Sequence, residues 1–416
     1  MTDYMSLKEL KKQNIHNIVI FVSDSLRWDY TPPSILDLGI SIKTIASSLY
    51  TAPSFASLVC GLYPTKTSIS SWEDLLSSNL KGLLNLDDCN TSLWCETTWT
   101  DLPPWQSDIH KILGNPKGIS LENISPPFIY MEDDKGGHCP YGIAYDEYSH
   151  FFEFFEEYGK KGKDELIKQY KKGIEQSVIN FKKRLKILED RNLTENTLVI
   201  FTSDHGELLG EYGGLVGHGR PSSPELVYVP TVFIHPSLKP QKISNTIIRH
   251  VDLFPTIASI LNKKINYTLD GIDLTGNCFP SNGLNFLMAG YFKSENKFNQ
   301  WITYKSASMW DFNGGHIFHY FDRYKEIIFF LYRLIIRHPE FAFLTQNIKW
   351  NSRDKLKDIK TALKHLTYPS IKYGDPCFSK EEAKRVISEK FIESEIFNEK
   401  IRIKMAINKL KIDKKI

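Results

Sequence analysis

No apolar run in the sequence approaches the roughly 20 residues that a membrane-spanning helix needs, and the longest late stretch, Ile327 to Tyr332, is far shorter. A transmembrane helix is thereby excluded. The first residues, MTDYMSLKELKKQN, are polar and lack the apolar segment of a signal peptide, so a cytoplasmic protein is expected. Cys-x-x-Cys pairs are also missing. The six cysteines (Cys60, Cys89, Cys95, Cys139, Cys278, Cys377) are scattered, which fits reduced thiols better than a disulfide frame or a zinc cluster. Neither sign of charge dominates: Lys and Arg number 52, Asp and Glu 49. That balance leaves no electrostatic footprint for nucleic acid, and any anionic substrate must be held locally. Internal repeats and low-complexity linkers are absent too.

What is present is an ordinary globular composition, 41% hydrophobic and 13% aromatic over 416 residues, enough for a large core. Two segments echo one another. Asn17-Ile-Val-Ile-Phe-Val-Ser-Asp24 and Thr197-Leu-Val-Ile-Phe-Thr-Ser-Asp204 are apolar runs ending in Ser-Asp, and both predict buried parallel strands. Further runs at 128–131 and 229–234 lie between helical patterns, and such alternation predicts an α/β fold with a mostly parallel central sheet flanked by helices on both faces. Ligands of such sheets collect at the carboxyl ends of the strands, where Asp24 and Asp204 fall.

From Asp164 to Asp190 apolar residues recur every three or four positions, the stripe of a long amphipathic helix. Residues 65–125 show no clear period and read as an irregular insertion near the site mouth. The expected organisation is a catalytic domain over 15–285, a small C-terminal α+β subdomain over 286–378 and a charged helical tail over 379–416. The tail could cover the core, dimerise or touch a membrane surface; covering the core is the commonest fate of such a helix.

Three segments carry chemistry. In Ser203-Asp204-His205-Gly206-Glu207 a strand delivers a carboxylate and an imidazole side by side, a pair suited to a divalent metal, with a capped surface turn as the plain alternative. In Thr51-Ala-Pro-Ser-Phe-Ala-Ser-Leu-Val-Cys-Gly-Leu-Tyr-Pro64 a hydroxyl stands at the start of a helix, either a simple N-cap or a nucleophile beside free amides. In Asp134-Lys-Gly-Gly-His138-Cys-Pro a carboxylate precedes a histidine by four positions. Arg27, Lys66, His250, His316 and His319 read as packing or surface residues.

Thr51 to Pro64 resembles the sulfatase signature, Cys-x-Pro-Ser-Arg followed by Ala-Ser-Leu, a Gly and Tyr-Pro. The Asp24 strand, Thr202 to Glu207, Val251 to Ile257 and Asp270 to Leu274 follow in the order of the alkaline phosphatase and sulfatase superfamily. The resemblance covers roughly residues 15–275 and implies an alkaline phosphatase-like fold with a metal-dependent esterase site. It places Thr51 at the nucleophile and Asp24, Asp204 and His205 on a metal, with Thr51 itself on that ion. Asp134 and His138 are similar to an element of the two-zinc branch, and His218 would complete a second site. His138 also resembles the substrate-contacting His-x-Pro of one-metal relatives, so one or two divalent ions (Zn, Mn, Ca or Mg) are implied. His138 and His218 would alternatively protonate the leaving group.

The departures redirect the chemistry. Sulfatases oxidise Cys or Ser at the nucleophile position to an aldehyde, which a threonine cannot give because its Cβ already carries a methyl group. Phe55 replaces the signature Arg, and Ser25 the second aspartate. Threonine here is typical of the superfamily's phosphodiesterases and phosphotransferases, so a hydrolase or transferase of phosphate esters is expected. A sulfate-ester hydrolase is the alternative, and an inactive metal-stabilised binding protein the second. The implied substrate is a small-molecule or glycan-linked phosphate or sulfate ester; homo-oligomerisation is left open.

Overall fold

The computed structural model describes residues 7–80, 82–95, 103–141, 148, 151–276, 278–287, 306–338, 341 and 353–413. Seven strands form the main sheet: β1 (Asn17–Ser23), β2 (Ile40–Ile45), β3 (Asn90–Cys95), β4 (Phe128–Asp134), β5 (Thr197–Thr202), β8 (Tyr228–Ile234) and β9 (Gln241–Arg249). Their order is β3-β4-β1-β5-β8-β2-β9. All neighbours run parallel except at β8, which is antiparallel to both β5 and β2. The apolar run at 229–234 is therefore the one reversed strand of a mostly parallel sheet.

Side-chain alternation splits each central strand between two cores. Ile18, Ile20, Ile129, Met131, Leu198 and Ile200 pack with Ala52, Phe55 and Val59 of helix α1 (Thr51–Cys60). Val19, Phe21, Tyr130 and Phe201 turn to the other face and meet Tyr170, Ile174 and Phe181 of helix α2 (Lys163–Asp190). The sheet is thus sandwiched, as the uninterrupted apolar runs of β1 and β5 require, because strands covered on both faces have no polar side.

Residues 65–125 are more regular than their composition suggests. They contribute β3, the edge strand, which pairs with β4 from Asn90↔Phe128 to Cys95↔Asp133. Its polar start and half-buried side chains hid the strand from pattern reading. The short hairpin β6 (Leu208–Gly210) and β7 (Leu215–Gly217) follows β5. Helix α3 (Leu253–Ile260) joins the α1 core.

A second, antiparallel sheet holds β10 (Gly283–Leu287), β11 (Ser306–Trp310), β12 (Gly314–His319) and β13 (Ser370–Gly374). Helices α4 (Arg323–Ile335) and α5 (Arg353–Thr367) connect β12 to β13. The tail is helix α6 (Lys380–Asp413). It covers the core: Ala383 and Ile387 are buried with Phe286 and Met309, Lys390 pairs with buried Asp270 at 2.9 Å, and the Ser394 hydroxyl donates to Thr65 Oγ1 at 2.8 Å.

Candidate active site

The carboxyl ends of β1, β4 and β5 meet the amino end of α1. Asp24 follows β1 directly and Asp204 follows β5 by two residues, so the parallel pairing of the two strands brings both carboxylates to one edge. Beyond His205 the chain must turn against the segment before β8. Gly206 allows this, since a Cβ there would stand 1.8 Å from the Glu225 carbonyl oxygen. Gly137 likewise lets the loop after β4 close on β1, where a Cβ would meet the Asp24 carbonyl oxygen at 2.4 Å.

Thr51 is the first residue inside α1 rather than its cap. Tyr50 holds the cap position and makes no side-chain cap bond, so no cap side chain competes for the amides of the first turn. Thr51 Oγ1 lies 3.4 Å from His205 Nε2. That imidazole nitrogen is 3.3 Å from Asp204 Oδ2 and 3.7 Å from Asp24 Oδ1, with all three side chains fully buried. Ser25, where the second aspartate would stand, donates from its hydroxyl to Asp24 Oδ1 at 3.0 Å and from its amide to Asp204 Oδ1 at 3.1 Å.

Asp134 is not brought to this cluster. Its carboxylate accepts from the Gly136 amide at 3.0 Å and from Asn180 of α2 at 2.8 Å, tying the loop after β4 to the helix. The reason is parity: Asp134 shares its face of β4 with Tyr130 and Glu132, the α2 side, and Glu132 pairs there with Arg184 at 2.7 Å. Asp133 takes the opposite side and with Lys135 belongs to the site. Lys135 Nζ is 2.5 Å from Asp24 Oδ2 and 2.8 Å from Asp133 Oδ2. Parity with Met131 was the one signal that favoured Asp133 over its neighbour.

His138 and His218 do arrive. The His218 ring centroid lies 4.5 Å from that of His205 and 5.1 Å from that of His138. His218 Nδ1 meets Glu207 Oε2 at 3.0 Å, a partner within the Asp-His-Gly-Glu segment that sequence reasoning left without a role. The two-ion ligand set therefore lacks its carboxylate, since Asp134 faces α2. Arg27 pairs with Asp29 and Glu211, Lys66 with Asp270, and His250 bridges the Ser47 amide and the Ser203 carbonyl, so all three have structural partners.

The electrostatics call for a cation. Burial would raise Asp24, but Lys135, His138 and His205 outweigh it and hold that carboxyl far below the usual range. Burial and the Asp24 charge instead push Asp204 up, and burial does the same to Asp133. Three buried carboxylates thus share one ammonium group, 2.8 Å from Asp133 Oδ2, and among the described residues Asp204 Oδ2 has no hydrogen-bond partner. Buried charges persist only when paired or bound to metal. One ligand atom each from Asp24, Asp204 and His205 lies within 4.8 Å of the others, so oxygen and imidazole donors suited to a divalent ion are in place. Burial holds His205 down to about 4 and His138 to about 3, the neutral form that a ligand requires. His218 is raised, because Glu207 overcomes the effect of burial.

The sulfatase family model matches residues 121–263. A curated relative, the low-salt glycan biosynthesis sulfotransferase Agl7 of Haloferax volcanii, is 31% identical over 388 residues, 92% of this chain and 93% of that protein. The chain belongs to the sulfatase family. An ulvan-active sulfatase of Formosa agariphila matches a shorter stretch, 32% identical over 22% of this chain and 18% of its own length. The sulfatase fold is shared with solved structures at low identity. A 2-O GAG sulfatase superposes with a TM-score of 0.55 at 15% identity, over 86% of this chain and 95% of its own. The phosphonate monoester hydrolase of Agrobacterium radiobacter gives 0.54 at 14%, over 86% and 100%. As a sulfatase-family member the chain is an ester hydrolase or transferase, and the family's general need for a divalent ion agrees with the Asp24, Asp204 and His205 cluster.

Proposed function

We propose that the protein moves a sulfuryl group between an ester and a glycan hydroxyl or water, with Thr51 as the nucleophile. The observation that carries this reading is the Thr51 hydroxyl at the start of a buried helix, 3.4 Å from His205 Nε2. The choice of sulfuryl rests on likeness over nearly the whole chain to a protein named as a glycan biosynthesis sulfotransferase.

Asp24, Asp204 and His205 would hold a divalent cation, which when bound supplies Lewis acidity that makes a hydroxyl more acidic and offsets anionic charge. Thr51 Oγ1 attacks sulfur, an O–S bond to Thr51 forms and the ester O–S bond breaks. Asp204, beside His205 and the Thr51 hydroxyl, receives the Thr51 proton. His218, whose imidazole Glu207 makes more basic, gives its proton to the leaving alkoxide. In the second half an acceptor hydroxyl attacks the sulfated threonine, its proton passes to His218, and Thr51 regains its own from Asp204. His138 lines the same pocket of rings and orients the ester oxygens.

A phosphoryl version of the same sequence is the second reading. It is favoured by Thr51 itself, since the unmodified hydroxyl suffices for phosphorus chemistry. The test is turnover of matched nitrophenyl sulfate, phosphate and phosphodiester substrates by metal-loaded protein, with and without a glycan acceptor, beside Thr51→Ala. Thr51-dependent turnover of the sulfate supports the first reading and preference for a phosphate ester the second. A Thr51→Ala variant as fast as the parent would remove both.

A further inference from the structure

Helix α4 has two apolar faces, and the fold uses one of them. Phe330 and Leu334 turn inward, with Phe330 against Phe341 at 5.2 Å between ring centroids, and buried Glu326 on the same side pairs with Arg220 at 3.3 Å. The outward face repeats Tyr324, Ile328, Leu331 and Ile335 at spacings of four, three and four, which aligns them along the helix. Their exposures are 80%, 67%, 46% and 74%. Single exposed apolar side chains are ordinary on a protein surface, but a continuous ridge of four marks a contact face.

The charges around this ridge are mainly basic. Arg323, Lys325 and Arg337 are exposed at the two ends of α4, and Lys357, Lys360 and Lys364 are exposed on the adjoining α5, beside exposed Leu356. Among the described residues, the exposed acids on the same two helices and the α4 cap are Asp322 and Asp354, and Asp358 of α5 is half-buried. The helices are held together at one end by the Arg323 guanidinium, which stacks over Tyr368 at 4.8 Å. An aliphatic ridge with a tyrosine, bordered by lysine and arginine, has the chemistry of a helix that lies in the surface plane of an anionic bilayer. The thirteen residues of α4 are too few to cross one. A two-fold pairing with a second copy is disfavoured by the same charges, because it would set this basic border against itself.

We propose that the α4 and α5 face docks the protein on anionic lipid headgroups, with Tyr324, Ile328, Leu331 and Ile335 inserted at the acyl boundary and the basic residues on the phosphates. This holds independently of the chemistry assigned to Thr51. The test is sedimentation of the full chain with vesicles of phosphatidylcholine alone and of phosphatidylcholine mixed with phosphatidylglycerol. The parent protein should pellet with the mixed vesicles and be released by added salt. The Ile328→Glu/Ile335→Glu double variant should bind at least about tenfold more weakly, because it removes two apolar anchors and adds repulsion. Both changes are at exposed positions, so its melting temperature and its turnover of a soluble ester should match the parent. Failure to pellet, equal binding to neutral vesicles, or binding unaltered in the double variant would overturn the proposal. A dimer in light scattering that the double variant dissolves, with no vesicle binding, would overturn it in favour of a second copy.

Discussion

Asp133 and Asp134 are neighbours in sequence and belong to opposite faces of β4: Lys135 Nζ stands 2.8 Å from Asp133 Oδ2 beside Asp24, while Asp134 accepts from Asn180 on α2. The two carboxylates therefore do different work. In Asp133→Asn one of three mutually repelling buried charges is lost, so the chelated protein should melt higher than the chelated parent. Asp134→Asn weakens bonds to Gly136 and Asn180, so it should cost about 1–2 kcal/mol with or without metal and leave metal content unchanged. Melting curves with and without chelator, paired with metal analysis, check this. Metal loss in the Asp134 variant alone would reverse the assignment.

Thr51 is buried at the start of α1 with its hydroxyl toward His205, so its removal tests chemistry more than stability. Thr51→Ala should lower kcat at least about a thousandfold, as removal of a nucleophile does, while the melting temperature of the loaded enzyme moves little. Thr51→Ser keeps the hydroxyl and should retain part of the activity. Equal loss in both variants would mean that the methyl group, not the oxygen, matters.

Much of this was legible in the sequence, and the limits have physical causes. The apolar runs ending in Asp24 and Asp204 identified both central strands, because a strand covered on both faces has no choice but to be apolar throughout. The recurrence of apolar residues every three or four positions along α2 was equally plain. β3 was not: it is an edge strand that begins with exposed Asn90 and half-buried Thr91, where polar residues carry little penalty. The Asp133 and Asp134 choice turns on strand parity, which a one-residue uncertainty in the strand end erases. Lys135 and Glu207 stood inside segments already singled out, but lysine and glutamate are so often solvated that only the fold reveals them as buried partners.

Chelation should destabilise the parent protein, because the cation binds the folded cluster and not the unfolded chain. At metal concentrations of 100 to 1,000 times Kd the stabilisation is about 3–4 kcal/mol. Asp204 supplies one ligand and also one of the repelling charges, so Asp204→Asn should narrow the gap between loaded and chelated melting temperatures from both sides. A gap as wide as the parent's would remove Asp204 from the ligand set.

Two buried histidines away from any proposed ligand role set a pH dependence of stability. His250 lies between the Ser47 amide and the Ser203 carbonyl, and His319 against the Tyr368 carbonyl; burial lowers each from the ordinary 6.5 to about 4. Between those values the unfolded chain takes up a proton at each ring that the folded chain refuses. Stability is therefore full above pH 6.5 and declines as pH falls toward 4, by about 3 kcal/mol for each histidine at 1.36 kcal/mol per pH unit. Urea unfolding of metal-saturated protein at a series of pH values should show this slope, and His319→Gln should remove one proton's share of it. Carboxylates of the site also titrate, but they are common to parent and variant and cancel in the difference. If the two slopes coincide, His319 is not held neutral by the fold, and the decline comes from His250 and the other titrating groups.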